Sequence, residues 1–192
     1  MLSPNKQNLL MLKKQKKLVQ NGLKLLSEKR NSLIVLFLNL AKNGKQKQKE
    51  VTSLWDLFFK KYIHDFGLIN IKKLLQRLHP GIKSKIIIKQ KRVSGVYLDE
   101  IDLTLSNEVR NGLKSSITDS LKIFKSIFPE FVLLAQMKTN CIKISQEIVK
   151  TNRQISNLER KVDEINFEIK YMTNALLEKS NAEKAVLIKI FS

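Results

Sequence analysis

The residue types that most often carry chemistry are few in this chain, and their spacing does not bring them together. The histidines, His64 and His79, fall in different segments without a neighbouring cluster of cysteines or carboxylates, so neither is expected to bind a metal or act as a base. Cys141 is the one cysteine, which excludes an intramolecular disulfide and fits a reducing compartment. The six glycines never form a phosphate-binding loop. We therefore expect no catalytic centre, no cofactor and no metal.

Two clusters come closest to a site, and both have a structural interpretation. The first is a group of carboxylates on a predicted strand, where neighbours point to opposite faces and cannot converge as a general acid and base. The second is an aromatic group that could stack bases but has the i, i+3, i+4 spacing of helix packing. The carboxylates are Asp99, Glu100 and Asp102, and the aromatic residues are Trp55, Phe58 and Phe59.

The charge is strongly positive, with 36 lysines and arginines against 17 acidic residues and a net charge of +19. Such a balance suggests a nucleic-acid partner. However, only six of the cations are arginine, the side chain whose planar fork grips phosphates and base edges. Lysines spread along helices favour a solvated face, and an acidic protein partner remains open.

Neither a membrane span nor a signal peptide is expected. No apolar run reaches the ~18 residues that cross a bilayer. Four lysines stand where the apolar core of a signal peptide would lie, namely Lys13, Lys14, Lys16 and Lys17. We expect a soluble cytoplasmic protein.

The elements that position these residues begin with a heptad seam in the last third of the chain. From Leu134 to Ile190, alternate steps of three and four residues meet apolar side chains everywhere except Thr151, Lys179 and Glu183. No glycine or proline interrupts residues 130–192. This pattern predicts a long coiled-coil helix. The residues that we single out on this C-terminal seam are Ile155, Leu158, Val162, Ile165, Ile169, Met172 and Leu176.

The first third carries a matching seam, which resumes at Val51 and Phe58 after a polar interval around Gly44. Two narrow seams cannot stay exposed, so each needs a partner. Because about 75 residues separate them, we expect them to pair with each other in antiparallel fashion, with Phe58 near Leu134 and Leu9 near Ile190. A parallel homodimer is the rival arrangement. The N-terminal seam includes Leu9, Leu12, Val19, Leu23, Leu26 and Leu33.

The middle of the chain contains its one strand pattern. Two alternating runs within residues 85–103 flank Ser94-Gly95, which predicts a β-hairpin. In that register Val93 faces Val96, Ile88 faces Ile101 and Ile86 faces Leu103. The opposite charges of Lys89 and Glu100 also face each other. Residues 69–78 and 113–128 are expected to be helical, with Pro129 in the first turn of the long C-terminal helix.

The predicted fold is therefore dominated by α-helix. A long antiparallel two-helix coiled coil, formed by residues 1–64 and 130–192, carries a small central lobe at residues 65–129. The lobe contains a short helix and the hairpin. Since a two-stranded hairpin is marginal in water, it should dock on its own helices or on another chain. The hairpin residues that we expect to serve docking are Ile86, Ile88, Arg92, Val93, Gly95, Val96, Ile101 and Leu103.

Four segments of the chain resemble the D subunit, the central rotor stalk, of V-type and archaeal-type ATPases, and they occur along the chain in the same order as in that family. Residues 22–33 resemble its early pattern G-x-x-L-L-x-x-K-R-x-x-L, and Pro4 resembles its P-T-K/R opening. Residues 92–96 resemble its hairpin turn R-N-V-x-G-V, and residues 151–159 resemble T-x-R-R-V-N-A-L-E.

The resemblance implies a stalk without catalytic activity that couples ATP hydrolysis or synthesis to ion translocation by rotation. In that family the helix tips, here residues 2–26 and 176–192, lie inside a ring of A and B subunits. The F subunit packs on the middle lobe, and a C-type (d-like) adaptor joins the stalk to the membrane ring. The resemblance implies a cytoplasmic location peripheral to the membrane, with no insertion into it and no nucleic-acid partner.

Two other classes remain open from the residues alone. The charge of +19 suits a basic coiled coil bound to nucleic acid or ribosomes. A cytoskeletal coiled coil or the stalk protein of an export ATPase is the second class, although such a stalk would lack the strand pattern at residues 85–103.

Overall fold

The computed structural model describes residues 4–66, 84–105 and 115–191. Helix α1 (Lys6–Phe66) is followed by strand β1 (Ser84–Val93), strand β2 (Val96–Leu105) and helix α2 (Ser115–Phe191). The two strands form one antiparallel sheet. This confirms the predicted fold class, two long packed helices with a hairpin between them. The short helix predicted at residues 69–78 lies outside the described residues.

Contacts divide the chain into two compact units, of which the first comprises Met1–Ser32 and Ile148–Ser192. Its core is formed by Leu12, Ile165 and Met172, each at most 5% exposed. A few turns along, the helices approach so closely that a Cβ atom at Gly22 would lie 3.7 Å from Leu158 Cδ1. As residue numbers rise along α1 they fall along α2, so this pair of helix segments is antiparallel.

The second unit is Leu33–Glu147 and contains the hairpin together with the adjoining parts of both helices. Leu33, Ile127 and Ile144 are completely buried in it. The Lys47 ammonium lies 2.7 Å from the Glu130 carboxylate, which joins α1 to α2. The helix segments of this unit are antiparallel as well.

The axial register of the seams differs from the predicted one. Phe58 stacks with Phe124 at 5.9 Å between ring centroids rather than facing Leu134. Leu9 packs on the cluster of Leu12, Ile165 and Met172, while Ile190, its expected neighbour, lies outside the residues whose side chains the structure describes. A heptad seam looks the same after a shift of seven residues, so its periodicity fixes which face is buried and leaves the axial position open.

Helix α2 runs through Pro129 and begins at Ser115, so the expectation that Pro129 lies in its first turn is wrong. A proline inside a helix loses one backbone hydrogen bond and costs about 3 kcal/mol or more. Packing of the preceding turn offsets that cost, since Ile127 is fully buried and Phe124 and Phe128 stack at 5.7 Å.

The hairpin has the predicted register throughout. Val93 pairs with Val96, Ile88 with Ile101 and Ile86 with Leu103. Ser94 and Gly95 have φ of 50° and 83°. A two-residue turn of type I′ needs positive φ at both central residues, which explains why this turn follows the right-handed twist of its strands.

Within the part of the chain that the structure describes, no helix is long and apolar enough to cross a membrane.

Candidate functional site

The most specific contact in the second unit is the one that holds the hairpin on α2. Asn140 is only 5% exposed and reaches the backbone of strand β2. Its Nδ2 donates to the carbonyl oxygen of Asp99 at 2.9 Å, and its Oδ1 accepts from the Asp99 N–H at 2.8 Å. The side-chain amide thus pairs with the strand as a neighbouring strand would, and satisfies two backbone groups that β1 cannot reach.

Two more residues of α2 extend this contact. Gln136 Oε1 accepts from the Ile101 N–H at 3.1 Å, and the Lys143 ammonium lies 2.6 Å from Asp99 Oδ2. Gln136, Asn140 and Lys143 follow each other at i, i+4 and i+7, which places them on one helix face. We call Gln136, Asn140 and Lys143 with Asp99 and Ile101 the hairpin clamp. It covers the outer edge of β2.

The residues predicted to serve docking divide between the two strands. Those on β2 turn inward: Val96 is 7% exposed, and Ile101 and Leu103 are half-buried. On β1, Ile86 and Ile88 are 49% and 62% exposed. Val93 is half-buried, while Gly95 at the turn is exposed, as is Arg92, whose guanidinium lies 5.7 Å from the Tyr97 ring. The docking role of these residues stays a prediction.

The carboxylates of β2 have separate partners rather than a common site. Lys89 forms its ion pair with Asp102 at 2.6 Å, diagonally across the hairpin, although Glu100 is its direct cross-strand partner. The hydrogen bond with Asp102 is the main reason that the pKa of Lys89 is raised, with a smaller electrostatic contribution from Glu100. Asp99 meanwhile belongs to the hairpin clamp. Asp99 and Asp102 therefore serve the fold.

Trp55 and Phe58 of the aromatic group pack between the helices, which confirms their structural interpretation, while Phe59 is 49% exposed and contacts Trp55 on its own helix. The Trp55 ring lies 5.5 Å from Phe58 on its own helix and meets Phe131 of α2 edge-on at 5.3 Å. Phe58 continues the contact to Phe124. Aromatic pairs in this geometry add to the burial of apolar area, so the cluster holds α1 and α2 together beside the hairpin.

Two side chains of the second unit, Lys47 and Cys141, have pKa values that are raised by their surroundings. Contact with Glu130, and then with Glu50, raises the pKa of Lys47. Burial raises the pKa of the Cys141 thiol. Cys141 lines a groove of about 410 Å³ together with Gly44, Leu134 and Met137. A raised pKa lowers the thiolate fraction of Cys141 and therefore its reactivity.

The thirteen seam residues named individually from the sequence, from Leu9 to Leu33 and from Ile155 to Leu176, all lie buried or half-buried. The first unit contains most of them, and Leu33 lies in the second. The most buried are Leu12, Leu33, Ile155, Ile165 and Met172, while the half-buried ones are Leu9, Val19, Leu23, Leu26, Leu158, Val162, Ile169 and Leu176. Beyond Leu176, residues 177–185 of α2 are exposed on every side. That the seam serves a rotor stays a prediction.

The sequence prediction missed the hairpin clamp. A signal for it existed, because Gln136, Asn140 and Lys143 put polar groups on one face of a helix whose seam runs on another. Nothing in that pattern names the strand that they meet. No group of three or more histidine, cysteine or acidic residues in the described parts of the chain could hold a metal ion.

Comparison with known proteins agrees with this architecture. The family model of the ATP synthase D subunit matches residues 8–192. The V-type ATP synthase D subunit of Thermoanaerobacter sp. is 24% identical over 198 residues, covering 98% of this chain and 94% of that protein. The protein of the same name from Clostridium novyi is 24% identical over 200 residues, covering 98% and 93%. The A-type ATP synthase D subunit of Methanococcoides burtonii is 26% identical over 175 residues, covering 84% and 82%. The chain belongs to the ATP synthase D subunit family.

Proposed function

We propose that this protein is the non-catalytic central stalk of a V-type or A-type ATP synthase, the rotor that couples ATP hydrolysis or synthesis to ion translocation. The observation that carries the proposal is the match to the D subunit family over residues 8–192. It is supported by the antiparallel packing of α1 on α2 in each unit and by the hairpin held on α2. The protein works at the cytoplasmic side of the membrane as a peripheral part of the complex.

The mechanical role follows from the paired seams. A stalk that transmits torque must keep its helices from separating, and the buried and half-buried apolar residues of the two seams provide that resistance. An asymmetric stalk inside a ring of A and B subunits makes the catalytic sites of the ring inequivalent, so that ATP turnover and rotation are coupled. Residues 2–26 and 176–192 are the part of the chain that enters the ring in this proposal.

The other partners are the F subunit, which binds the lobe that carries the hairpin, and a C-type (d-like) adaptor at the membrane ring. The exposed isoleucines of β1 support a docking role for the hairpin. Deleting residues 85–103 should leave the helices formed, since the seams do not involve the hairpin, but should abolish coupling or binding of the F subunit. If the deleted protein binds the F subunit with full affinity and couples normally, the docking role of the hairpin is wrong.

The basic surface near the N-terminus is proposed to meet acidic loops of the ring. Lys13, Lys14 and Lys17 are exposed, and Lys16 is half-buried at a seam position. Replacing these four lysines with glutamine should weaken assembly with the ring at moderate salt, because exposed charges act through screened electrostatics. Assembly that is unchanged at low and moderate salt would remove this contact from the account.

Affinity purification tests the proposed function most simply. We expect the tagged protein to elute with two ATPase subunits of unequal size and a small partner. The nucleic-acid alternative predicts instead that RNA or DNA co-purifies and is released with a steep dependence on salt.

A further inference from the structure

Strand β1 has an open outer edge, whereas the outer edge of β2 is covered by the hairpin clamp. Asp99 and Ile101 turn their N–H groups away from β1 and donate them to α2. Gln90 and Ile88 are the partners of these two residues across the hairpin. Since opposite residues of an antiparallel pair either exchange both of their hydrogen bonds or neither, the backbone groups of Gln90 and Ile88 also point outward. The same alternation adds Ile86 to the outward set.

Among the residues that the structure describes, none pairs with this outer edge of β1. The side-chain hydrogen bonds and the ion pair of β1 run to β2. All residues from 85 to 92 are exposed. They include three consecutive isoleucines, Ile86, Ile87 and Ile88, which are 49%, 42% and 62% exposed. An apolar strand with a free edge is a template for another strand and promotes aggregation unless something covers it.

The two faces of β1 differ in the chemistry of their side chains. Ile86 and Ile88 extend the apolar face of β2, since their cross-strand partners are Leu103 and Ile101. Neighbouring residues point to the opposite face, where lysines recur.

Two of these lysines, Lys85 and Lys91, form no ion pair with a described residue. A strand placed beside β1 would therefore meet isoleucines on one face and free positive charges on the other. The lysines disfavour pairing with a second copy of β1, because like charges would then lie close together.

We propose that the outer edge of β1 accepts a third strand from another subunit of the ATPase complex, an extended segment in which apolar and acidic residues alternate. Its backbone pairs with the outward N–H and carbonyl groups of β1, which is where the affinity of strand addition comes from. Its alternate side chains meet the isoleucines on one face and the lysines on the other. This inference rests on the proposed function and adds to the docking role of the hairpin the edge that is used, the conformation of the partner and its chemistry.

Hydrogen exchange resolved to single amides, in the full chain alone and in the reconstituted ATPase complex, tests this proposal. In the chain alone the outward amides of Ile86, Ile88 and Gln90 should exchange fast. The inward amides of Ile87 and Lys89, which bond to β2, should exchange slowly. In the complex the three outward amides should slow by about tenfold or more, because each gains a backbone acceptor.

Ile88→Pro removes one outward N–H but no hydrogen bond to β2, so the hairpin should stay formed, as slow exchange of the inward amides would show. In the complex of this variant the Ile86 and Gln90 amides should lose their protection. Ile88→Val is the matched control, because it keeps both the N–H and the preference for a strand, and it should be protected like the wild type. The double variant Lys85→Glu, Lys91→Glu should reduce the protection, and more so at low salt.

The possible results separate this proposal from the proposed function. If the complex assembles but the outward amides exchange as fast as in the chain alone, the edge is free and the proposal is wrong, while the proposed function stands. Protection that persists in Ile88→Pro would show that something other than an added strand covers the edge, and would overturn the proposal as well. Slow exchange in the chain alone, with a dimer in sedimentation analysis, would assign the edge to a second copy instead. If the chain joins no ATPase complex, the proposed function falls and this inference with it.

Discussion

Replacing Asn140 with leucine should release the hairpin from α2 without unfolding the helices. Leucine has a similar volume but neither donates nor accepts a hydrogen bond. The Asp99 N–H and carbonyl, now paired with Asn140 at 2.8 and 2.9 Å, would be left buried and unsatisfied. Two hydrogen bonds at about 1 kcal/mol each give a loss of about 2 kcal/mol in docking free energy. Since about 1.4 kcal/mol corresponds to a factor of ten, the population of undocked hairpin should rise by about 30-fold.

Hydrogen exchange followed by mass spectrometry measures this population. In the wild type the Asp99 and Ile101 amides are protected by the hairpin clamp. In Asn140→Leu, peptides covering β2 should exchange about 30-fold faster, and an undocked hairpin should lose further protection because two strands alone are marginal in water. Peptides from the seams should exchange as before.

Thr139→Val is the matched control, since Thr139 is exposed and its hydroxyl donates only to the Ala135 carbonyl of its own helix. It should leave exchange in β2 unchanged. If Asn140→Leu also leaves β2 exchange at the wild-type rate, the clamp does not hold the hairpin and the reasoning is refuted. Acceleration of seam peptides to the same extent would show that the hairpin and the helices unfold together.

Three further predictions concern single positions in the second unit. Gly44→Ala should stabilise α1 by about 1 kcal/mol and raise the melting temperature by about 2–4 °C, since a Cβ atom there meets nothing within 4 Å. A lower melting temperature would contradict this, because it would show that the added methyl group disturbs the packing at this position. Ser94→Asn should strengthen the hairpin by up to about 1 kcal/mol, because Asn tolerates positive φ better than Ser and Asn-Gly is the preferred type I′ pair; slower exchange of the β2 amides would show it, and faster exchange would count against it. Cys141 should react with a thiol reagent at about pH 8 more slowly in the native protein than in denaturant, because burial raises its pKa and reduces its thiolate fraction; equal rates would contradict that burial.

The hairpin could be predicted to the residue because its signals are local. A two-residue turn with glycine, alternation on both sides and facing opposite charges allow one register only. Even so, the ion pair of Lys89 runs to Asp102 and not to Glu100. A long side chain on a twisted hairpin can reach the diagonal neighbour as well as the opposite one. The cross-strand position of Lys89 therefore predicted the register of the hairpin but not the carboxylate with which Lys89 forms its ion pair.

The pairing of the helices was predictable only in part. Periodicity identified which residues are buried, and these include Leu12, Ile165 and Met172. It could not fix the axial register, because a repeat of seven residues permits many equivalent alignments. In the structure the register coincides with two contacts that break the repeat, the aromatic cluster around Trp55 and the Lys47–Glu130 ion pair.

The contact of the hairpin with α2 could not be predicted from the sequence patterns. Its residues come from two segments 35 to 44 positions apart, and each has an ordinary local interpretation. Gln136 and Asn140 look like solvated polar positions on a helix until the unpaired edge of β2 is placed beside them. Such long-range side-chain to backbone pairing depends on tertiary structure, which no periodicity reports.

Attaching a visible probe to the hairpin turn tests the central proposal most directly. In a Cys141→Ser background, Ser94→Cys provides an exposed thiol for a bead or gold particle, and the ring of A and B subunits is fixed to a surface. The account predicts that added ATP drives the probe around continuously in one direction, while the isolated chain hydrolyses no ATP. ATP hydrolysis by the complex at its normal rate with the probe attached but stationary would contradict the account.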